Sequence, residues 1–434
     1  CSSDLPDAEA TGQLLAELCE DLAPSFDVTV VAGQPNHNPD QVLYQPHGWQ
    51  VRRGVKIRRV WNTTFPKSSL PGRIANLLSY LITALLAMIA MPRQDVIVVE
   101  SDPPLLCLLG AVLRRSHRCK LLVYLQDIHP DIGIALGKIP NCWATRRLRQ
   151  LLFGVYRRAD RVVVLSRDMR DVLVDSGVAP ERVDCIPNWI DTRTVCPRRQ
   201  SNAFRERHGL NGHFVVMYSG NLGLCQRLED ILEAANRLRD DPRILFSFVG
   251  DGVSKRGLED EARRMNLSNI RFFPYQPKEG LAESLSAADL HLLPLDPRVA
   301  SYLMPSKLYG ILASGSPLVA VAPASSELAE IIQKNRVGRL VPPQRPVLLA
   351  ETIRQLATSG EALREMGLAA RRLAEDHYDR RRLTGRFAVM LHDLLDPESR
   401  LLPKCGVDAG HEVTFEEDRR ESCEKCGFVR QSVS

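Results

Sequence analysis

Two doubly wound α/β domains facing one cleft are the fold this sequence predicts, on three observations. The chain has 434 residues, more than one hydrophobic core usually serves. Short apolar runs alternate with helical patterns along most of it, and strands apolar on both faces mean parallel sheets covered by helices. The runs fall into two sets, parted by IPNWIDTRTVCPRRQ at 186–200, where Pro187, Pro197 and a basic run break the pattern.

The helical pattern TGQLLAELCEDLA at 11–23 comes first. A doubly wound domain usually opens on a strand, and residues 1–5 are too few and too polar to supply one, so a truncated or replaced first strand is expected. The first set of strands is DVTVVAG at 27–33, DVIVVE at 95–100, KLLVYLQD at 120–127 and RVVVLS at 161–166. The second is FVVMYSGN at 214–221, ILFSFVGDG at 244–252, IRFFPY at 270–275, DLHLLPL at 289–295 and SPLVAVAP at 316–323. Amphipathic segments at 228–239 and 258–265 lie between them. Ligands of such sheets bind at the carboxyl ends of the strands, which places a site in the cleft.

A composition of 44% hydrophobic and 25% charged residues is that of a globular protein. The net charge of +5 comes wholly from the first half: residues 1–200 hold 25 Lys+Arg against 20 Asp+Glu, and 201–434 hold 32 against 32. Residues 41–94 contain no acid but include Arg52, Arg53, Lys56, Arg58, Arg59 and Arg73, a block that attracts anionic surfaces, phospholipid or nucleic acid. IANLLSYLITALLAMIAM at 74–91 is interrupted only by Asn76, Ser79 and Thr83. It reads as a core-facing helix, a monotopic membrane contact or, at its lower length limit, a span. The polar opening CSSDLPDAEATG is not a signal peptide, so a cytoplasmic protein is expected. Of 11 cysteines, those before Cys405 are scattered and read as reduced residues.

MPSKLYGILASGSPLVAVAP at 304–323 carries the strongest chemical signal. Pro305 and Ser306 can open and cap a helix, and Lys307 adds a full charge where free N–H groups favour a phosphate. Leu308 follows in the same turn. The bland alternative is a capped helix with a solvated lysine, and the surroundings argue against it. YSGNLG at 218–223 follows a strand and precedes a helix beginning near Arg227; Gly220, Asn221 and Gly223 permit a tight turn whose N–H groups can face a diphosphate. VGDG at 249–252, with Gly250 and Asp251, closes the next strand in the same way. Neither loop matches GxGxxG or GxxxxGK[ST], which argues against a dehydrogenase or an NTPase.

YSGNLG, FVGDG, FFPYQPKEGLAESLSAADLHLLPL and MPSKLYGILASGSPLVA together resemble the donor-binding domain of family 4 glycosyltransferases of the two-domain GT-B fold. The nearest likeness is to bacterial L-fucosamine transferases and colanic acid glycosyltransferases. PDAEATGQLLAELCEDLA, QDIHPDIGIALG and IPNWID extend it into the first domain, so it covers about residues 4–395. The resemblance implies retaining transfer of a sugar from a nucleotide diphosphate donor to a carbohydrate or lipid-linked acceptor, with no cofactor required for catalysis. Thr11 and Gly12 match the place where relatives bring backbone near the transferred sugar, and Tyr275 and Gln276 the loop that meets the base. Many relatives carry a basic pair where this chain has Asn221 and Gln226, leaving Lys307 and Ser306, with help from Arg227, to meet the diphosphate. They also carry two glutamates where this chain has Tyr302 and Gly310, which leaves ribose recognition without its usual carboxylate.

On the acceptor side, Asp127, His129 and Asp131 follow the strand at 120–127, where a carboxylate or imidazole can orient an acceptor hydroxyl or take its proton. The other reading is that Asp127 caps the next helix and His129 packs. In the tail, Cys405, His411, Cys423 and Cys426 stand as C-x5-H-x11-C-x2-C, a Cys3His set that suits a structural zinc ribbon, against an unstructured tail. The expected organisation is an acceptor-binding domain at 1–197, a nucleotide-sugar-binding domain at 198–378, a returning helix at 379–400 and the zinc tail at 401–434. The expected function is a glycosyltransferase with a UDP-sugar donor, acting on a lipid-linked sugar or polysaccharide acceptor at the anionic inner face of the membrane. No nucleic-acid partner is expected. A GT-B sugar-nucleotide epimerase and a catalytically silent binding protein are the rival readings.

Overall fold

The computed structural model describes residues 10–34, 47–65, 70–198, 202–223, 225–396, 421–423 and 428–430. Two compact units divide the chain, 1–388 and 389–434.

The first unit opens on the helix Ala10–Leu22. Strands β1 (Thr29–Ala32), β2 (Gly48–Arg52) and β3 (Val55–Arg59) follow in the spatial order β1-β3-β2, with β1 parallel and β2 antiparallel to β3. The β2–β3 hairpin turns on Arg53 and Gly54, both at positive φ (47° and 83°), the geometry a two-residue hairpin demands. Then β4 (Val96–Glu100), β5 (Lys120–Tyr124), β6 (Arg161–Val164) and β7 (Val183–Cys185) form a separate parallel sheet in that order. Among the described residues no strand precedes the first helix.

The second sheet system holds β8 (Phe214–Ser219), β9 (Ile244–Val249), β10 (Ile270–Phe273), β11 (Leu290–Pro294), β12 (Leu318–Val321) and β13 (Gly338–Val341), all parallel, in the order β10-β9-β8-β11-β12-β13. Every residue of β9, β11 and β12 is buried, as helices on both faces require. The order reverses between β8 and β11, and that switch point is where an open α/β sheet binds its ligand. The strands end earlier than their apolar runs because the last residues of each run turn into the loops that build the site. β2, β3, β7 and β13 were not legible in the pattern: two are polar on one side and two are very short.

The helix Leu70–Ile89 is not a core helix. Its buried side is narrow, with Tyr80 and Ala84 against Val60 and Leu106. Its polar residues are spent internally: Asn76 Oδ1 accepts from the Thr63 hydroxyl (2.8 Å) and Phe65 N–H (2.9 Å), Ser79 Oγ accepts from Thr63 N–H (3.0 Å), and the Thr83 hydroxyl donates to Trp61 O (2.6 Å). These bonds stitch the extended segment 61–65 along the helix. What remains outward is an apolar stripe, Ile74, Leu78, Ile82, Leu86 and Ile89, at helical spacing and about half exposed.

The sheet systems meet within the unit at several points. Asp127 bridges to Leu303, and Ile128 N–H donates to Tyr302 O at 3.0 Å. Glu327 N–H donates to Asp168 Oδ2 at 2.8 Å while Arg167 N–H donates to the Glu327 carboxylate, so each segment caps the other's helix. Arg380, at the start of the helix Arg380–Leu395, is bidentate to Asp21. In the second unit, β14 (Glu421–Cys423) and β15 (Phe428–Arg430) form an antiparallel hairpin. The zinc-site candidates Cys405, His411 and Cys426 lie outside the described residues, as does the Cys423 side chain.

Candidate active site

Three loops converge at the carboxyl ends of β8, β9 and β11, and their glycines interlock. A Cβ on Gly250 would lie 2.1 Å from Gly220 O, and one on Gly252 would lie 2.5 Å from both Asn221 Oδ1 and Leu222 O. Gly220, at φ 134°, lets Lys307 cross it, since a Cβ there would lie 2.2 Å from Lys307 Cε. The glycines thus serve close packing of loop on loop, with lysine laid over the top.

That packing consumes donors the sequence assigned to a diphosphate. Gly220 N–H donates to Val249 O (2.8 Å), Leu222 N–H to Asp251 O (2.7 Å) and Gly250 N–H to Phe273 O (2.9 Å). Gly220 and Gly250 therefore shape the loop and do not present N–H groups, whereas the N–H groups of Asn221 and Gly223 take no bond among the described residues. Asp251 holds the first loop by its carbonyl, and its carboxylate accepts from Gly252 N–H. Leu308 is fully buried and its N–H already donates to Pro305 O.

Ser306 does not cap the helix Lys307–Ala313, contrary to the sequence expectation. Its backbone is already helical (φ −60°, ψ −23°), because the turn begins at Pro305, and its exposed hydroxyl takes no cap bond. With seven residues this helix aligns few peptide dipoles, so the positive potential comes from the lysine itself. Lys307 Nζ stands 5.4 Å from the centre of the Tyr218 ring. It has no acid or acceptor among the described residues, and burial pushes its ammonium down to about 8.

Arg227 is tied to its own helix by Asp230 (3.4 Å), which weakens its claim as a second cation at the phosphates; that helix begins at Glu229. Tyr275 is half exposed and Gln276 Nε2 donates to Pro274 O at 3.0 Å, both on the loop after β10. Gly12 is buried in the first helix; the Thr11 side chain lies outside the described residues.

On the opposite wall, Asp127 and His129 follow β5. The carboxylate of Asp127 does not cap the helix Asp131–Ala135, whose start has no side-chain cap, so the capping part of that alternative falls. Asp131 is structural, paired to Arg149 at 2.7 Å. The Ser101 hydroxyl accepts from Gln126 N–H (3.0 Å) and Asp127 N–H (3.3 Å), and Gln126 Oε1 accepts from Asn188 Nδ2 (3.0 Å), which in turn receives the Tyr124 hydroxyl (3.1 Å). This buried network explains the IPNWID motif: it fixes the backbone on which Asp127 sits. Burial pushes the Asp127 carboxyl up and the His129 imidazole down, each charge partly restraining the other's shift.

Sequence reasoning missed the groups that join the walls. Burial raises the Cys225 thiol, and the charges of Asp127 and Lys307, one from each wall, act on it in opposite senses. Asp296 is fully buried, its N–H donates to Cys225 O (2.9 Å), and Arg298 grips its carboxylate through Nε (3.0 Å) and Nη2 (2.6 Å). Burial would raise that carboxyl, but the Arg298 bonds outweigh it and hold it below the usual range. The spacing D-x-R was visible in the sequence, yet nothing local distinguished it from a surface pair.

Residues 10–189 match the Glycosyl transferase 4-like domain and residues 200–373 match Glycosyl transferases group 1. The chain belongs to the family 4 glycosyltransferases. This glycosyltransferase is 29% identical over 364 residues to the colanic acid biosynthesis glycosyl transferase WcaI of Escherichia coli K12, covering 81% of this chain and 89% of the relative. It is 28% identical over 342 residues to the glycosyltransferase WbjE of Pseudomonas aeruginosa, covering 76% and 84%. In structure it is similar to the sucrose-phosphate synthase of Thermosynechococcus elongatus (TM-score 0.71, 19% identity, 89% of this chain and 94% of that one). It is similar also to Anabaena HepE in complex with UDP and glucose (TM-score 0.69, 16% identity, 91% and 98%). These neighbours establish the GT-B fold of the glycosyltransferase.

Proposed function

We propose that this glycosyltransferase moves a sugar, with retention, from a UDP-sugar to a lipid-linked or polysaccharide acceptor in bacterial surface polysaccharide synthesis, peripheral to the inner face of the membrane. One observation carries the reading: Lys307 is a partly buried ammonium without a counter-ion among the described residues, at the switch point of the sheet and across the cleft from Asp127. A cation drawn partly out of water with no counter-ion is costly unless an anion completes it, and a departing diphosphate supplies that anion. The names of WcaI and of the UDP complex of HepE support the polysaccharide and uridine parts of the proposal.

In this reading Lys307, the Ser306 hydroxyl and the free N–H groups of Asn221 and Gly223 hold the diphosphate. Asp127 and His129 orient the acceptor hydroxyl, and Tyr275 and Gln276 border the base. The chemistry needs no cofactor, because the lysine offsets the charge of the leaving group. The apolar stripe of the helix Leu70–Ile89 faces outward beside an acid-free block, which suits an acceptor held at a membrane more than the soluble substrate of an epimerase. A zinc ribbon in the tail stays part of the proposal, separate from transfer.

Titration of the purified protein with a panel of sugar nucleotides, with turnover scored on lipid-linked sugars in vesicles, tests the reading. A UDP-sugar is expected to bind and to be consumed only when the acceptor is present. Consumption with conversion to an epimer and no acceptor product would overturn it in favour of the epimerase.

A further inference from the structure

Residues 138–147 form a corner of the first half that the donor and acceptor chemistry does not use. Trp143 is 80% exposed at the start of the helix Trp143–Arg158, and Ile139 beside it is also exposed. Lys138, Arg146 and Arg147 flank them in the chain, all exposed and without an acidic partner among the described residues. No acid occurs from 132 to 159, so the corner is cationic as a whole.

Its place in the fold is informative. Helices that join parallel strands run against them, so this helix, leading into β6, begins at the carboxyl end of the sheet, where Asp127 and His129 also lie. The helix Leu70–Ile89, leading into β4, begins at that same end. The helix Leu106–His117 packs between the two, so both belong to one layer. The apolar stripe and the tryptophan corner are thus parts of one side of the first half, at the rim of the acceptor wall.

An exposed indole with cations around it and no acid nearby is matched by the interface of an anionic bilayer: the ring sits at headgroup depth and the cations meet phosphates. We propose that the corner at residues 138–147 seats on an anionic phospholipid surface, with Trp143 inserted at headgroup depth, so that a lipid-borne acceptor enters beside Asp127. The inference rests on the reading of the acceptor as lipid-linked, and names a second contact besides the apolar stripe.

The test uses the full-length protein and vesicles of phosphatidylglycerol whose acyl chains carry bromine, which quenches tryptophan on contact. Vesicles quench the wild type, and Trp143→Phe removes a clear part of that quenching while the stripe keeps the protein bound. Arg146→Gln with Arg147→Gln lowers partitioning about tenfold or more, and the loss shrinks as salt rises. Quenching unchanged in Trp143→Phe, or partitioning unchanged in the double variant, overturns the proposal. Binding of UDP without vesicles is measured alongside and stays at the wild-type level in both variants. A wild type that binds no UDP would instead sink the donor reading, whatever the vesicles show.

Discussion

Lys307→Ala abolishes sugar transfer and lowers UDP affinity by about tenfold or more, as calorimetric titration and a transfer assay will read. A hydrogen bond to a charged group contributes about 1.5–3 kcal/mol, and no other cation of the three loops is free to take over: Arg227 is held by Asp230 and Arg298 by Asp296. The variant should fold, because removing the lysine relieves an unpaired and partly desolvated charge. Unchanged affinity and turnover would mean that the diphosphate lies elsewhere.

Asp127→Asn lowers kcat on the order of a hundredfold while UDP affinity stays near the wild type. An interaction formed mainly in the transition state shows in kcat, and the carboxylate sits on the wall opposite the donor loops. Asparagine keeps the shape and the backbone bonds to Ser101, so a loss of activity cannot be assigned to a collapsed loop. A variant whose affinity collapses while saturated turnover persists would assign Asp127 to binding. His129→Gln, measured in the same way, shows whether the imidazole shares that role.

The switch point and its three loops were legible because they rest on local signals: apolar runs, glycines at strand ends and a lysine after Pro-Ser. What those loops do with their donors was not. Gly220 and Gly250 spend their N–H groups on β9 and β10, contacts to residues far away in sequence that only the register of the sheet fixes. Ser306 matched a capping pattern, but the turn begins one residue earlier and removes the need for a cap. Residues 74–91 were legible as apolar, and undecided between core and membrane, because a helix gives no sign of which face its neighbours cover. The core reading is excluded by Asn76, Ser79 and Thr83, whose partners at 61–65 turn the polar face inward and leave the apolar stripe outside. Asp296 and Arg298 went unnoticed for a similar reason: a pair whose acid is buried and one wholly exposed read alike in sequence.

The central claim is that an uncompensated Lys307 ammonium is completed by the donor's diphosphate, and the pH dependence of UDP affinity in the wild type tests it most directly. The free lysine titrates at about 8, below its ordinary value, and a bound diphosphate must raise it. Below that point the ammonium is charged before binding and affinity keeps its full value; above it, binding must first take up a proton. The terminal phosphate is already ionised throughout this range, its second pKa being about 6. Calorimetry should therefore show affinity level near neutral pH, then falling by up to roughly tenfold per unit above about pH 8, with proton uptake, and no such fall in Lys307→Ala. An affinity that stays level through this range in the wild type, or an equal fall in the variant, would contradict the account.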